Sequence, residues 1–291
     1  MLDLSFSNKK EIKINAKKWL PKNKIKSCIF LLHGYAEHSG RFADLIQEFT
    51  TSGHAVYAMD YEGHGQSEGV RGCAGSFFDL IADTALFFTR AYRDHDDKKW
   101  FILGHGLGGN IAIKLASMFP QYLDGLILTS PAIMIDRKIP KLIQDMAKHI
   151  GSIYEHMPVM RLDNRAISRS KDVVDEYNND PLVYHGCIRA GMALCYRQSV
   201  EQATFVLNQL VMPIWVGHGS FDTLHDPAGS AFIINRVSVE DKTLKIYDKL
   251  FHNILNEPER FTIMDEIINW IDHRNQIESH VEYAYSTQKT G

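Results

Sequence analysis

Short runs of apolar residues alternate with helix-length segments along most of this chain, and this rhythm constrains its fold more than any other feature. The apolar runs cover residues 28–33 (CIFLLH), 54–60, 100–103, 123–129, 213–216 and 243–247. Continuous runs of this length are typical of parallel strands that are buried on both faces. The intervening segments predict helices at residues 40–51, 76–94, 107–119, 227–235 and 259–274. The alternation indicates an α/β fold with an open, mostly parallel, doubly wound sheet.

Two segments depart from this rhythm. Residues 11–20 alternate weakly and predict an antiparallel strand at the edge of the sheet. Residues 131–210 contain no strong strand signal, and we interpret them as a helical insertion. We therefore predict a core formed by residues 1–130 and 211–291, with a helical lid at residues 131–210 inserted between two strands.

Within the predicted lid, apolar residues recur at helical spacing over residues 139–157, with lysines between them. This pattern predicts an amphipathic helix with a break near Gly151. Its apolar face has two interpretations. It packs on its own domain, or it shelters an apolar ligand and contacts a membrane surface.

Composition and charge exclude several classes of protein. The 291 residues include 32 Lys and Arg against 35 Asp and Glu, which leaves no basic excess, so we expect no nucleic-acid partner. No window approaches the ~18–20 apolar residues of a membrane span, and the first residues do not resemble a signal peptide, so we expect a cytoplasmic protein. Cysteines and histidines have no ligand-like spacing in the sequence, so we expect no metal.

The most informative turn is LGHGLGG at residues 103–109, between the apolar run WFIL and the helical segment NIAIKLASMF. A tight strand-to-helix turn of the form G-x-S-x-G is a nucleophile elbow. Gly104 and Gly108 occupy its two glycine positions. The nucleophile position itself is Gly106, which has no side chain to attack an acyl carbon.

Three other loops indicate the same chemistry. The sequence HGYAEHSGR follows the first buried strand, where such a turn supplies one oxyanion-hole N–H, here from Tyr35. The second N–H comes from the residue after the nucleophile, Leu107. Asp222 and His252 follow later strands, and the order nucleophile, acid, histidine is that of α/β-hydrolases. His252 is the predicted general base, and Asp222 is predicted to hold its tautomer.

A second turn, GQSEG at residues 65–69, matches G-x-S-x-G letter for letter. It follows a strand, but loop sequence rather than an apolar-periodic helix comes after it. Because the motif carries chemistry only in a strand–turn–helix context, we predict that Ser67 is a polar turn residue and not a nucleophile.

Together these motifs resemble the monoacylglycerol lipases, which are serine hydrolases of the α/β-hydrolase superfamily. The resemblance covers residues 17–271 and rests on HGYAEHSGR, MDYEGHGQSEG, GHGLGG, YNNDPL, RAGMALC, GSFD and DKTLKIYDKLFH. It implies an α/β-hydrolase fold with a lid and hydrolysis of a monoacylglycerol or related lipid ester through an acyl-enzyme. It implies no metal or organic cofactor.

The resemblance also implies roles for single residues. Its catalytic positions are Gly106, Asp222 and His252, and its oxyanion-hole amides are those of Tyr35 and Leu107. Glu37, Arg41 and Tyr177 match positions that bind the glycerol end of the substrate. Their ordinary alternatives are a solvated Glu37–Arg41 ion pair at a helix start and a packing role for Tyr177. Cys195 also matches the family, and we expect it to be a buried, inert thiol.

Two departures from the family pattern bear on function. Gly106 replaces the serine, and Leu255 stands where the animal lipases carry a second glycerol-contacting histidine. Loss of a triad member leaves only about 10³–10⁴-fold acceleration over water, so we expect negligible turnover. The chain is then a lipase or esterase whose nucleophile was lost through an engineered knockout or a variant or error in the sequence, or it is a natural pseudohydrolase that binds a lipid or a partner. A peptidase or thioesterase on the same scaffold also stays open.

Overall fold

The computed structural model describes residues 1–133 and 154–276. Its strands in this part of the chain are β1 Leu2–Asp3, β2 Phe6–Ser7, β3 Lys13–Ile14, β4 Ala16–Trp19, β5 Ser27–Leu32, β6 His54–Met59, β7 Lys99–His105, β8 Gly125–Thr129, β9 Pro158–Met160, β10 Ile188–Arg189, β11 Ile214–Gly219 and β12 Lys242–Tyr247. Eight of them form one sheet in the order β1–β4–β6–β5–β7–β8–β11–β12.

The six strands from β6 to β12 in this order are parallel, which confirms the predicted α/β fold. Each of the six predicted apolar runs overlaps one of them. The segment predicted as an edge strand contains β3 and β4, and β4 pairs antiparallel with β6. The edge assignment was wrong, because β1 pairs with the outer side of β4. A strand of two residues is too short to show a pattern in the sequence.

The described helices are α1 Ala43–Thr51, α2 Phe77–Tyr92, α3 Leu107–Met118, α4 Lys171–Asn179, α5 Ala190–Val206, α6 Ala228–Arg236 and α7 Arg260–Gln276. The five predicted helices correspond to α1, α2, α3, α6 and α7. Helix α2 begins where it does because Ser76 and Asp79 form a reciprocal capping box, which satisfies backbone N–H groups at its start. No helix in the described ranges is long and apolar enough to cross a membrane.

The apolar core lies on both faces of the sheet. Alternate residues of β5 point to opposite sides, so that Phe30 packs with Phe87 and Phe88, while Ile29 and Leu31 lie in the other cluster. Burial of each large apolar side chain contributes about 1.5–3 kcal/mol. The two clusters therefore give the loops at the carboxyl ends of the strands a rigid support.

Strands β8 and β11 are neighbours in the sheet, and residues 131–210 connect them. Although the sequence has no strong strand signal here, β9 and β10 pair as a short antiparallel ribbon within this connection. These strands are too short for a periodic signal. Most of the predicted amphipathic helix lies outside the described residues, and its last part, from Tyr154 to Met157, forms a turn instead. The division into core and lid stays a prediction.

Candidate active site

The turn at residues 104–108 joins strand β7 directly to helix α3. Gly106 has φ +54°, in the left-handed region that costs a residue with a Cβ about 1–3 kcal/mol. Its N–H donates to the Thr129 carbonyl at 3.0 Å, and its own carbonyl accepts from the Gly109 N–H at 3.0 Å. The sheet and the helix thus both hold the backbone of Gly106 in this conformation.

Close approach of the helix to the sheet explains the other two glycines of the turn. A Cβ on Gly108 would lie 2.4 Å from the Leu32 carbonyl oxygen, and one on Gly104 would lie 2.3 Å from the Gly108 carbonyl oxygen. Neither position accepts a side chain. The first turn of α3 therefore lies against the sheet, with its free N–H groups beside position 106.

Position 106 has room for a side chain. A Cβ there would lie 3.5 Å from His225 Cε1, 3.7 Å from Gly34 Cα and 3.7 Å from His252 Nε2, all ordinary van der Waals distances. A hydroxyl one bond further out can reach hydrogen-bond distance of His252 Nε2. The space and the base are therefore those that a nucleophile at this position needs.

Asp222 and His252 lie in loops that follow the neighbouring strands β11 and β12. His252 Nδ1 donates to Asp222 Oδ2 at 2.7 Å. The other oxygen, Oδ1, accepts from the backbone N–H of Leu224 at 2.8 Å and of His225 at 3.0 Å. Because these contacts fix the carboxylate and place the proton on Nδ1, His252 presents its Nε2 lone pair to position 106.

The electrostatics of this pair suit proton transfer. Burial alone would lower the pKa of His252, but the charge and hydrogen bond of Asp222, with the charge of Glu37, raise it above the ordinary value. Burial opposes ionisation of Asp222, yet His252 and the hydrogen bond from His218 hold the pKa of Asp222 far below its usual range. A basic imidazole oriented by a permanently ionised carboxylate is the arrangement of a general base.

His225 is a site residue that the sequence analysis missed. Its Nδ1 donates to the Ser130 carbonyl at 2.9 Å, and its ring lies edge-to-face on His252 with centroids 4.6 Å apart. Burial and the nearby charge of His252 lower the pKa of His225 to about 3, so the ring is neutral at physiological pH. A signal existed, because loops after the carboxyl ends of parallel strands are where α/β sheets bind ligands.

His218 is a second residue that the sequence analysis missed. It is buried on β11, where its Nε2 donates to Asp222 Oδ2 at 2.9 Å and its Nδ1 lies 2.7 Å from Ser230 Oγ. Nothing in the sequence separates this histidine from an apolar position of a buried strand. His218 gives Asp222 a second imidazole partner and helps to fix its carboxylate.

The residues matched to the glycerol end lie together beside the elbow. Glu37 is only 5% exposed, and its Oε1 accepts from the Gly34 N–H at 3.2 Å. The Arg41 guanidinium lies 5.4 Å from the centre of the buried Tyr177 ring. Burial raises the pKa of Glu37 although Arg41 and His252 both oppose the shift. Glu37 is thus buried in the site, which argues against a solvated ion pair.

Unpaired polar atoms surround Glu37. Arg41 Nε and Nη2, His105 Nε2 and Asn253 Oδ1 are buried and have no hydrogen-bond partner within residues 1–133 and 154–276. Asn253 Nδ2 donates to Glu37 Oε2 at 3.4 Å, and His105 Nε2 lies 3.6 Å from Glu37 Oε1. Because buried polar groups normally find partners, this cluster can accept a polar ligand. The sequence analysis singled out neither Asn253 nor His105.

The two predicted oxyanion-hole residues flank the elbow. Tyr35 follows Gly34 in the loop after β5, and Leu107 is the first residue of α3. The Tyr35 hydroxyl donates to the Gly72 carbonyl at 3.3 Å, so its side chain is engaged away from position 106. The role of the two amides stays a prediction.

Ser67 lies in a different environment. Its hydroxyl donates to the Asp60 carbonyl at 2.6 Å and accepts from the Asn15 N–H at 2.8 Å. The turn at residues 65–69 opens no helix, since α2 begins only at Phe77. The hydroxyl of Ser67 therefore joins three backbone segments and is not free for attack.

The two remaining positions matched to the family are buried. Cys195 lies on α5, and burial raises the pKa of its thiol, as for an inert cysteine. Leu255 belongs to the apolar cluster that includes Ile263 and Ile267 of α7. A leucine in that cluster offers no polar contact to an alcohol.

A mostly parallel sheet with a strand–turn–helix elbow and an Asp–His pair at its carboxyl edge defines an α/β-hydrolase. Residues 23–259 match the family described as serine aminopeptidase, S33. The chain is 34% identical over 270 residues to a monoacylglycerol lipase of Mycolicibacterium smegmatis, covering 92% of this chain and 95% of that protein. It is 32% identical over 263 residues to the monoglyceride lipase of Mus musculus, covering 88% of this chain and 86% of that protein.

Among solved structures, the monoacylglycerol lipase of Paleococcus ferrophilus is 27% identical and has a TM-score of 0.80, over 90% of this chain and 99% of that one. This chain belongs to the serine aminopeptidase S33 family of α/β-hydrolases. Within that family it belongs with the serine ester hydrolases of the monoacylglycerol lipase type. The predicted resemblance and the predicted fold class are both confirmed.

Proposed function

We propose that this chain binds a monoacylglycerol or a related lipid ester in the pocket beside Gly106, and that it is a carboxylic ester hydrolase that lacks its nucleophile. The observation that carries the proposal is the His252–Asp222 pair aimed at position 106, where a side chain would meet only ordinary contacts. The names of the relatives supply the substrate class.

With a serine at position 106, we expect the acyl-transfer reaction of a serine hydrolase. The hydroxyl attacks the ester carbonyl while His252 takes its proton, and the N–H groups of Tyr35 and Leu107 bind the oxyanion. His252 then gives the proton to the departing glycerol oxygen, which leaves an acyl-enzyme. Water attacks the acyl-enzyme while His252 takes its proton, and His252 then returns that proton to the serine oxygen as the fatty acid departs. Asp222 keeps the Nδ1–H tautomer of His252 throughout.

The polar cluster suits the alcohol end of such an ester. The carboxylate of Glu37 accepts hydrogen bonds from hydroxyl groups, and the Arg41 donors that have no partner in the described part of the chain give them. The Tyr177 ring of α4 packs against the Arg41 guanidinium and can help to hold these donors in place.

The proposed lid, residues 131–210, is the part of the chain that we propose meets a membrane surface peripherally. Tyr154, Met157 and Met160 support this, because they are exposed apolar side chains close together in sequence. Contact of this kind gives a lipid ester a route into the pocket.

The chain as written, with Gly106, has no covalent nucleophile, and we propose that its turnover is negligible. Slow direct attack by water is the only hydrolytic route left to it, and this route needs His252 as base. Any residual rate that survives His252→Ala comes from elsewhere.

The experiment compares this chain with Gly106→Ser, using a monoacylglycerol and a short chromogenic ester. Gly106→Ala is the matched control, because it adds the same Cβ without the hydroxyl. We expect hydrolysis by the serine variant alone. If all three proteins fold and none hydrolyses either ester, the pocket has lost more than a hydroxyl.

A lipid-binding pseudohydrolase is the second candidate. Its support is the φ of +54° at Gly106, which glycine adopts without strain, so the turn is stable without its serine. It predicts that the Gly106 chain binds a monoacylglycerol with an affinity that Gly106→Ser does not improve.

A further inference from the structure

We propose that the two imidazoles beside Gly106 form a binding site for a divalent transition-metal ion of the Zn²⁺ type. His225 and His252 bind the ion through their Nε2 atoms, and Asp222 orients His252. One ligand atom from each of these three residues lies within 4.8 Å of the other two. The site shares His252 and Asp222 with the acyl-transfer chemistry proposed above, but metal binding is a separate role for these residues and does not involve Glu37.

The hydrogen bonds of both histidines leave Nε2 as the free nitrogen. His225 Nδ1 lies 2.9 Å from the Ser130 carbonyl, which only accepts, so Nδ1 carries the proton. His252 Nδ1 lies 2.7 Å from a carboxylate oxygen of Asp222, so the same holds there. In the neutral tautomers the two Nε2 atoms are lone-pair donors, as a metal requires.

The same contacts form the support that metal-binding histidines usually have. A ligating imidazole typically donates its other N–H to a carboxylate or a backbone carbonyl, which fixes the ring and strengthens the ligand. Asp222 provides the carboxylate and Ser130 provides the carbonyl. Asp222 also accepts from the backbone of Leu224, so it is held in place without help from the ion.

Glycine at position 106 leaves the space between the rings open. A Cβ there would lie 3.5 Å from His225 Cε1 and 3.7 Å from His252 Nε2, so both rings border the volume beside the Gly106 Cα. Zinc binds nitrogen ligands at about 2.0–2.1 Å, so the two Nε2 atoms must lie roughly 3.3 Å apart when the ion is bound. With two imidazoles from the protein, water supplies the remaining ligands of the ion.

No metal is expected from the sequence, because no histidine pair has ligand spacing along the chain. The structure brings His225 and His252 together from loops after different strands. The proposal does not rest on the proposed function, since the ion binds without an ester.

The test titrates Zn²⁺ into the metal-free full chain by isothermal titration calorimetry. We expect one binding site, and we expect His225→Ala to weaken it by at least about tenfold. The matched control is His273→Ala, which removes an exposed histidine on α7 and leaves the affinity unchanged. Equal affinity in the His225→Ala variant, or no binding at millimolar Zn²⁺, overturns the proposal.

A second measurement needs no variant. Paramagnetic Co²⁺ is added to the unaltered chain while its imidazole resonances are followed by NMR. We expect the His225 and His252 signals to shift or broaden first, with His273 unaffected. Equal effects on all three histidines contradict a site beside Gly106.

Discussion

Two turns of this chain have nearly the same sequence but different structural environments. The turn at residues 65–69 has a serine, but the Ser67 hydroxyl is bound to Asp60 and Asn15. The turn at residues 104–108 has no serine, yet a side chain at its centre would face His252. In the first turn the described partners of the hydroxyl are backbone groups rather than a base, and in the second turn a base is present but the hydroxyl is absent.

The difference shows what makes a G-x-S-x-G turn catalytic. Both turns follow a strand, but only the second opens a helix at the carboxyl edge of the parallel strands, beside the loops of Asp222 and His252. That placement projects residue 106 from the sheet, whereas Ser67 is used to join neighbouring backbone segments. A serine in such a turn can act as a nucleophile only where the fold also places the loops of the acid and the base beside it.

The largest effect is expected from a substitution of Asp222, the acid that orients the proposed base His252. In the Gly106→Ser background, Asp222→Asn should lower kcat about 10⁴-fold, because the amide favours the wrong tautomer of His252. The measurement is steady-state hydrolysis of a short chromogenic ester. Asp97→Asn, at an exposed position, is the control and should change nothing. A loss below tenfold for Asp222→Asn would mean that the elbow and the Asp–His pair do not act together.

Ser67→Ala tests the prediction that the serine of the turn at residues 65–69 is structural and not catalytic. It should lower the free energy of unfolding by about 1–3 kcal/mol, because the buried Asn15 N–H loses its acceptor. In the Gly106→Ser background it should leave ester hydrolysis unchanged. Urea unfolding tests stability, with the exposed Ser238→Ala as control. Loss of hydrolysis in a folded Ser67→Ala protein would assign the nucleophile to the wrong turn.

Gly106→Ala isolates the strain of the catalytic turn. The added Cβ meets no close contact, so any destabilisation comes from φ +54°. We expect the free energy of unfolding to fall by about 1–3 kcal/mol. Chemical denaturation of the two proteins measures it. An alanine variant at least as stable as the unaltered chain would show that the turn stores no strain.

The smallest effect is expected in the polar cluster. In the Gly106→Ser background, Glu37→Gln should raise KM for a monoacylglycerol by about tenfold, because a charged acceptor for the alcohol hydroxyls is lost. KM for a short ester without a polyol should stay the same. Glu240→Gln, at an exposed position, is the control. An equal change for both esters would place Glu37 outside alcohol recognition.

Much of the fold could be predicted, because buried strands and helices show a regular pattern of apolar residues in the sequence. The parallel strands are continuous apolar runs, and a helix such as α2 carries both an apolar face and a capping box. The shortest strands have too few residues to show such a pattern. Strands β1, β9 and β10 have two or three residues each, so they were missed, and the sheet edge was placed one strand too far in.

The predicted site residues come from motifs with a fixed place in the fold, and the structure brings Asp222, His252 and Gly106 together. The missed residues have no such motif. His218 lies on an ordinary buried strand, and His225 and Asn253 become site residues only through contacts between separate loops. Such contacts depend on how the loops fold together, which a single sequence does not record.

The most direct test of the central claim is labelling with an active-site-directed fluorophosphonate, with the modified residue located by mass spectrometry. This account predicts no label on the unaltered chain or on Gly106→Ala. It predicts one label on Gly106→Ser, at residue 106 and dependent on His252. Label at Ser67, or no label on a folded Gly106→Ser protein, would contradict the account that only a hydroxyl is missing from this site.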